Sequence, residues 1–224
     1  MDRKNARNPD KGNDQKDDDI EERLSRKGVI MEKNQRDILL INACVRKGSR
    51  TKILADCLLK KLDGKVTEVT LENVNFPVTN EAFLNRRDAL LSEEAYEDPM
   101  FDLARQFAEA ECIVIAAPYW DLSFPASLKQ YFEQVNAVGI TFRYTEEGIP
   151  VGLCRAKTIY YVSTAGGHYV PEDFGFGYVK ALAEGFYGIR DVRLIRAAGL
   201  DIYGADVDEI MKEAAMKIEG LKEI

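Results

Sequence analysis

The chain has 224 residues, of which 46% are hydrophobic and 31% are charged, a balance typical of a soluble protein with one sizeable core. The formal net charge of -7 argues against a general nucleic-acid binder, because binding to a phosphate backbone requires a basic face. The longest apolar run, residues 112–118, is far shorter than the roughly 20 residues that cross a bilayer, and the first thirty residues lack the apolar block of a signal peptide. We therefore expect a cytoplasmic protein without a membrane-spanning segment.

The first 34 residues differ in character from the rest of the chain. Residues 1–30 carry sixteen charged side chains, eight of each sign, and almost no apolar side chains to bury. Such a segment cannot offset its ordering entropy, so we expect residues 1–34 to be disordered and residues 35–224 to form one folded domain. Two interpretations of the segment stay open: a regulatory or partner-binding arm, or an over-extended reading frame whose true start is Met31.

Apolar runs and helical stripes alternate from residue 37 onward. The runs predict five short strands, at residues 38–41, 66–71, 112–116, 158–163 and 192–197. Helical spacing predicts helices at residues 52–62, 101–110 and 176–187, and a last helix from Val207 to beyond Ile218. The connection between the second and third strands is long and polar, with helical potential beyond the segment at 101–110.

The clearest helix follows the third strand. Pro125 is expected in its first turn, after a cap at Ser123 or Phe124. Apolar side chains recur there with helical spacing, at Leu128, Tyr131, Phe132 and Val135. A small hairpin, with strands at residues 141–144 and 151–153, comes next.

Strands that alternate with helices imply a parallel sheet with helices on both faces. Five such strands predict a doubly wound α/β domain with strand order 2-1-3-4-5. Ligands bind to this topology outside the carboxyl ends of the strands, at the switch point between the first and third strands. The loops after strands one, three and four are therefore the candidate site.

The loop after strand one, residues 42–51, is suited to a phosphate group. It ends at a helix start, where backbone N–H groups are free, and it contains a flexible glycine, two hydroxyls and three cations, at Gly48, Ser49, Thr51, Arg46, Lys47 and Arg50. A capped helix with a solvated basic loop is the alternative. The spacing matches neither GxxxxGK[ST] nor GxGxxG, so a single terminal phosphate fits better than a dinucleotide.

The loops after strands three and four are suited to a planar ring. The first of them places two aromatic rings beside the switch point, within Pro118, Tyr119, Trp120, Asp121 and Leu122. The second contains a glycine pair that lets the backbone approach a ligand, within Thr164, Ala165, Gly166 and Gly167. Alternatively, the rings cover the sheet edge or a subunit contact, and the glycines serve only the turn. Together the three loops predict a mononucleotide with a planar head and one phosphate.

The same segments carry a family resemblance. The order GSRT, APYWDLSFPASLKQYFEQV, GITFRYTEEGIPVGL and STAGG resembles the flavodoxin-like, FMN-dependent NAD(P)H oxidoreductases of the azoreductase and quinone reductase family, over residues 37–200. The resemblance implies a flavodoxin-like fold that binds FMN tightly. It places Cys44, Arg46, Ser49, Arg50 and Thr51 at the phosphate, and the two later loops along the flavin.

Two residues depart from the pattern of that family. Cys44 lies in a region where a serine is frequent, and Asp121 stands where an asparagine is frequent. A thiol is a poorer donor than a hydroxyl and an ionised carboxylate donates nothing, so backbone N–H groups should contribute more of the phosphate and flavin contacts.

The resemblance also implies an activity. It implies a two-electron, ping-pong reduction of quinones, azo compounds or similar flat small molecules, with NAD(P)H as co-substrate, in a homodimer whose active sites lie at the subunit interface. His168, the only histidine, is the candidate proton donor, and an orienting or merely exposed loop histidine is the alternative. A flavodoxin-type electron carrier and an FMN-binding regulatory module remain as rival functions, although the hairpin favours the enzyme.

Cysteine spacing gives no sign of a metal or disulfide site. The four cysteines, Cys44, Cys57, Cys112 and Cys154, show no paired CxxC spacing. The sequence therefore predicts four reduced thiols and no metal.

Overall fold

Five parallel strands form the central sheet of the computed structural model, which describes residues 35–221. Two further strands form a separate hairpin, so seven strands are numbered in this part of the chain. In chain order they are β1 (Asp37–Asn42), β2 (Lys65–Thr70), β3 (Cys112–Ala116), β4 (Phe142–Tyr144), β5 (Pro150–Gly152), β6 (Thr158–Thr164) and β7 (Asp191–Ala197). The large sheet has the order β2-β1-β3-β6-β7, and β4 and β5 pair separately as an antiparallel hairpin. The predicted order 2-1-3-4-5 is confirmed. The predicted disorder of residues 1–34 falls outside the described residues.

Six α-helices are present within residues 35–221. They are α1 (Arg50–Lys61), α2 (Glu81–Ser92), α3 (Asp102–Glu109), α4 (Ala126–Val135), α5 (Phe176–Leu182) and α6 (Val207–Glu219). A π-helical turn, Ala183–Tyr187, extends α5, so the predicted helix at 176–187 is two elements. None of the helices in this part of the chain is both long and apolar enough to cross a bilayer.

The core lies on both faces of the sheet because the central strands carry apolar side chains on both faces. Every residue of β3 and β6 is buried, as expected for parallel strands that are covered on two sides. Ile113 and Tyr161 belong to the cluster on one face, and Val114 and Val162 belong to the cluster on the other.

Helix α4 follows the predicted stripe, but its start differs from the prediction. Leu128, Tyr131, Phe132 and Val135 are all fully buried. Pro125 takes the N-cap position in an extended conformation, with no side-chain cap. Ser123 does not cap the helix, because its hydroxyl donates to the carbonyl oxygen of Phe174 at 2.6 Å.

The hairpin is fixed to the body of the domain at both ends. The buried hydroxyl of Thr141, just before β4, donates to the carbonyl oxygen of Val135 at 2.7 Å. At the other end Gly152 lies against the backbone of Tyr187 and Gly188, where a Cβ atom would be 2.1 Å from the Tyr187 carbonyl carbon. Only a glycine permits this approach.

Three strands end at one edge of the sheet, and their pairing continues into the loops. The N–H of Ala43 donates to the carbonyl oxygen of Ala116 at 2.9 Å, and the N–H of Tyr119 donates to that of Thr164 at 3.0 Å. The loops after β1, β3 and β6 therefore leave the sheet side by side.

Candidate functional site

A cavity of about 380 Å³ lies at this edge, outside the carboxyl ends of β1, β3 and β6. It is lined by residues 45–51, 118–120 and 164–166 and by Asp201. A second cavity of about 460 Å³ lies between α3 and the amino-terminal half of β1. Open α/β sheets bind ligands at the carboxyl ends of their strands, so the first cavity is the candidate site.

Most of the predicted site residues meet in this cavity. The predicted residues that line it are Arg46, Ser49, Arg50, Thr51, Pro118, Tyr119, Trp120, Thr164, Ala165 and Gly166. Those that do not line it are Cys44, Asp121, Leu122, Gly167 and His168.

One end of the cavity is the start of α1. Ser49 caps the helix, its Oγ accepting from the N–H of Lys52 at 3.4 Å, and the first turn carries no acidic side chain. Gly48 has a φ of 71°, which lets the chain turn back so that the N–H of Ser49 donates to the Arg46 carbonyl oxygen at 3.1 Å. The first N–H groups of a helix lack intrahelical partners, so this end favours an anion.

A buried hydroxyl pair joins this end to the glycine loop. Thr51 and Thr164 lie with their Oγ1 atoms 2.6 Å apart, and both side chains are buried. The pair fixes the distance between the helix start and the end of β6. The Thr51 hydroxyl is therefore engaged with Thr164 in the floor of the cavity.

Cys44 points away from the cavity and into the core. Its Sγ donates to the carbonyl oxygen of Ala116 at 3.6 Å, and its side chain belongs to the apolar cluster beneath the loop. Burial raises the pKa of this thiol, which stays protonated. The structure thus places Cys44 beneath the predicted phosphate site and not in its wall.

The loop after β3 forms a two-residue hairpin turn. Trp120 and Ser123 exchange backbone hydrogen bonds of 3.1 and 2.7 Å, and the two residues between them have left-handed backbones, with φ of 49° at Asp121 and 67° at Leu122. Two central residues with positive φ are typical of a type I′ turn. The turn points Asp121 and Leu122 out to solvent, which is why only the first part of the loop lines the cavity.

The two aromatic rings of this loop have different surroundings. The Tyr119 hydroxyl is buried and finds no hydrogen-bond partner within residues 35–221. Burial raises the pKa of the Tyr119 phenol. Trp120 lines the cavity and remains 38% exposed. Both residues line the cavity, but the Tyr119 hydroxyl points inward, whereas Trp120 keeps a face available to a ligand.

A fourth loop, after β7, completes the wall. The N–H groups of Gly199, Leu200 and Asp201 donate to the carbonyl oxygens of Gly167, Ala165 and Gly166, at 3.0, 3.2 and 2.9 Å. A Cβ atom on Gly166 would lie 2.4 Å from Asp201 Oδ2, so the carboxylate packs directly on the glycine.

Arg50 spans the cavity wall from α1 to this fourth loop. Its guanidinium donates to Asp201 Oδ1 at 2.7 Å and to the Leu200 carbonyl oxygen at 3.1 Å. Sequence reasoning missed Asp201, because it examined the loops after strands one, three and four only. The signal that could have found it is a carboxylate a few residues beyond the carboxyl end of the last strand.

His168 lies on the exposed part of the glycine loop. Its imidazole covers Gly199, where a Cβ atom would lie 2.2 Å from Cε1 and where φ is 82°. The histidine therefore packs on the fourth loop, outside the cavity lining. Within residues 35–221 no group of three or more histidine, cysteine, aspartate or glutamate side chains is arranged to hold a metal ion.

Several known proteins are similar in sequence to much of this chain. An FMN-dependent NADH:quinone oxidoreductase of Clostridium beijerinckii is 44% identical over 128 residues, which are 56% of this chain and 64% of the relative. A protein of the same name from Lachnoclostridium phytofermentans is 40% identical over 156 residues, 68% of this chain and 76% of the relative. The match to the first of these thus spans slightly less than two thirds of its length.

Solved structures share the fold. An azoreductase from Bacillus anthracis superposes with a TM-score of 0.70 over 83% of this chain and 100% of its own, at 24% identity. An NAD(P)H:quinone oxidoreductase from Methanothermobacter marburgensis superposes with a TM-score of 0.59 over 84% of this chain and 96% of its own, at 17% identity. The family described as having the flavodoxin-like fold matches residues 36–221. Since that match covers most of the chain and agrees with the strand order, the chain belongs to the flavodoxin-like fold family.

Proposed function

We propose that this protein is an FMN-dependent NADH:quinone oxidoreductase that also accepts azo compounds and similar flat molecules. The observation that carries the proposal is the cavity at the switch point of the sheet, which has an N–H-rich, cationic end at α1 and an aromatic wall at Trp120. Relatives that bear this name are similar over 56% and 68% of the chain, which also supports the proposal.

The residues of the cavity fit FMN at both ends. The N–H groups of Arg50 and Thr51, the hydroxyl of Ser49 and the exposed cations of Arg46 and Lys47 suit the phosphate. Pro118, Tyr119 and Trp120 suit one side of the ring, while Thr164, Ala165, Gly166 and Gly167 suit the other. A Cβ atom on Gly167 would meet no atom within 4 Å, so open space remains beside this loop. The remaining predicted residues lie outside the cavity lining: Cys44 lies beneath it, and Asp121 and Leu122 lie in the turn beside it.

When bound, FMN supplies the two-electron transfer between the nicotinamide and the acceptor. The chain binds and orients the reactants. Trp120 offers a partly exposed apolar face, and Leu122 in the same turn is also exposed. Two more exposed rings lie close to this loop and extend the face into a rim: Tyr169, near Tyr119, and Phe174, whose carbonyl oxygen accepts from Ser123. Backbone N–H groups of the loops provide fixed dipoles where negative charge develops.

His168 is the proposed proton donor, since it is the only histidine and stands at the end of the glycine loop. Turnover of His168→Ala across pH tests the assignment. A pH-dependent loss would support proton transfer, whereas an unchanged profile would restrict His168 to its packing on Gly199.

The exposed rim supports a homodimer with the active sites at its interface. Large apolar side chains that surround a cavity are typical of an interaction surface. The hairpin adds more of them, since Tyr144 and Ile149 are also exposed. Sedimentation velocity tests this assembly, and a monomer at micromolar concentration would count against it. We also propose a cytoplasmic location, which the four free cysteines support.

A visible spectrum of the purified protein tests the function. The protein is loaded with excess FMN, desalted, and then mixed anaerobically with NADH and, in parallel, with NADPH. Retained flavin absorbance that bleaches in one two-electron step is expected, with NADH the faster donor because the relatives are named for it. Loss of the flavin on desalting would refute the cofactor, and retained flavin that neither nucleotide bleaches would indicate an electron carrier or a regulatory module.

A further inference from the structure

We propose that Arg50 and Asp201 form a latch that closes the flavin cavity, and that the Arg50 side chain is a positioning group and not a ligand of the phosphate. This inference rests on the proposed function, because it concerns the same cavity. It also changes the role that the family resemblance implies for Arg50.

The latch joins two segments that are distant in sequence. Arg50 is the first residue of α1, and Asp201 lies in the loop after β7. The guanidinium makes two contacts with that loop, 2.7 Å to Asp201 Oδ1 and 3.1 Å to the Leu200 carbonyl oxygen. Two contacts from one planar group fix its orientation better than a single ion pair does.

The fourth loop is hydrogen-bonded to the glycine loop, so the position of one depends on the other. Three backbone hydrogen bonds link residues 199–201 to residues 165–167. Asp201 Oδ2 also packs directly on Gly166, where a Cβ atom would lie 2.4 Å from it. Holding Asp201 therefore holds the wall that should lie against the flavin.

The outer part of the fourth loop, beyond the buried Leu200, can move if the latch is released. Gly199 and Gly204 at its two ends have φ of 82° and 79°, in the region that glycine enters freely. Tyr203 between them is fully exposed and Ile202 is largely exposed, so the outer part of the loop has little packing of its own. Segments with few buried contacts open locally at low cost.

Charge around the cavity indicates that other groups meet the phosphate. The charge of Arg50 is neutralised by the Asp201 carboxylate, whereas Arg46 and Lys47 form no ion pair within residues 35–221. Those two cations and the N–H groups of α1 suffice for a phosphate without Arg50.

The test uses Arg50→Gln, Asp201→Asn and the double variant, with Glu209→Gln as the control. Glu209 pairs with Lys212 on α6 in an exposed ion pair outside the cavity. Dissociation of FMN and of riboflavin is followed by flavin fluorescence, and amide hydrogen exchange of residues 199–201 is measured on the flavin-free protein. Riboflavin lacks the phosphate and so separates closure of the cavity from phosphate binding.

If the two residues form a latch, removing either one should give the same result. Each single variant should release both flavins about fivefold faster, the range open to one exposed ion pair. Each should also speed exchange at residues 199–201, with no further increase in the double variant. The control should match the wild type.

Two results would overturn the latch. One is exchange at residues 199–201 that stays at the wild-type rate in both single variants. The other is a loss of FMN binding in Arg50→Gln with riboflavin unchanged and FMN bound more tightly by Asp201→Asn, which would make Arg50 a phosphate ligand. If the wild type holds neither flavin, the proposed function fails instead, and the exchange data still decide whether the latch exists.

Discussion

Leu122 has a backbone conformation that its own side chain opposes. Its φ of 67° places it in the left-handed region, which costs a residue with a Cβ atom roughly 1–2 kcal/mol. Aspartate tolerates the first position of such a turn, but glycine is the usual choice at the second. The strain therefore lies in the turn beside the candidate flavin site.

Substitution Leu122→Gly should stabilise the protein. Relief of the left-handed strain outweighs the extra entropy that glycine gains in the unfolded chain, so we expect the free energy of unfolding to rise by about 0.5–1 kcal/mol. Urea unfolding measures this change in the free energy of unfolding. Leu122→Ala is the matched control, because alanine keeps the Cβ atom, and it should give no gain. An equal gain in both variants would show that the exposed leucine, and not its φ, is unfavourable.

Asp191 should contribute stability that depends on pH. Burial raises the pKa of its carboxyl, but hydrogen bonds from Arg193 and Thr158 outweigh burial, and the net pKa is below the ordinary 3.8. A carboxyl with a depressed folded pKa adds stability above its unfolded pKa and loses it as pH falls through the folded pKa. Solvent screening limits the contribution to less than about 1 kcal/mol.

The variant Asp191→Asn tests this contribution. It should unfold at lower urea concentration than the wild type at pH 7, and the difference should shrink once the pH falls below 3.8. A difference that stays constant down to pH 3 would assign the loss to hydrogen-bond geometry and not to the charge.

At the scale of elements, the hairpin depends on one close backbone approach. A Cβ atom on Gly152 would lie 2.1 Å and 2.2 Å from the carbonyl carbon and oxygen of Tyr187, and neither backbone atom can move alone. Gly152→Ala should therefore separate the hairpin from the π-helical turn and lower the free energy of unfolding by about 2–3 kcal/mol. Thermal and urea unfolding measure the loss.

Gly185→Ala is the control for this prediction. Gly185 lies in the same π-helical turn and is exposed, and a Cβ atom added to it would meet no atom within 4 Å. The substitution should be neutral or slightly stabilising, since alanine favours helical backbone. Equal losses in the two variants would show that the turn, and not the approach of the hairpin, is sensitive.

Elements with a buried face could be predicted from the sequence, and elements without one could not. Strand β3 and helix α4 are recognisable because burial demands an apolar run or an apolar stripe. Helix α2 has no buried residue, so no stripe marks it, and only the Asn80 cap, which accepts from the N–H of Phe83 at 3.0 Å, signals its start. The polar connection that contains α2 was predicted only to have helical potential.

The topology of the sheet made it possible to predict that three loops distant in sequence line one cavity. The switch point indicated the three loops that contain the lining residues 49–51, 118–120 and 164–166, because parallel strands end at a common edge. Cys44 and Asp201 show what the sequence does not reveal. A side chain at the right loop can face the core, as Cys44 does, and a fourth loop can reach the cavity from outside the switch point.

The folded unit should need none of the charged amino-terminal segment. The chain divides between residues 35 and 36 by its internal contacts, and we propose that the second unit carries both the stability and the flavin site. A protein that starts at Met31 should then unfold at the same urea concentration as the full chain. FMN at 100 times its dissociation constant should stabilise both forms by the same amount, about 2.7 kcal/mol. A shorter form with lower stability but equal flavin affinity would make the segment part of the fold, whereas weaker flavin binding at equal stability would make it part of the site.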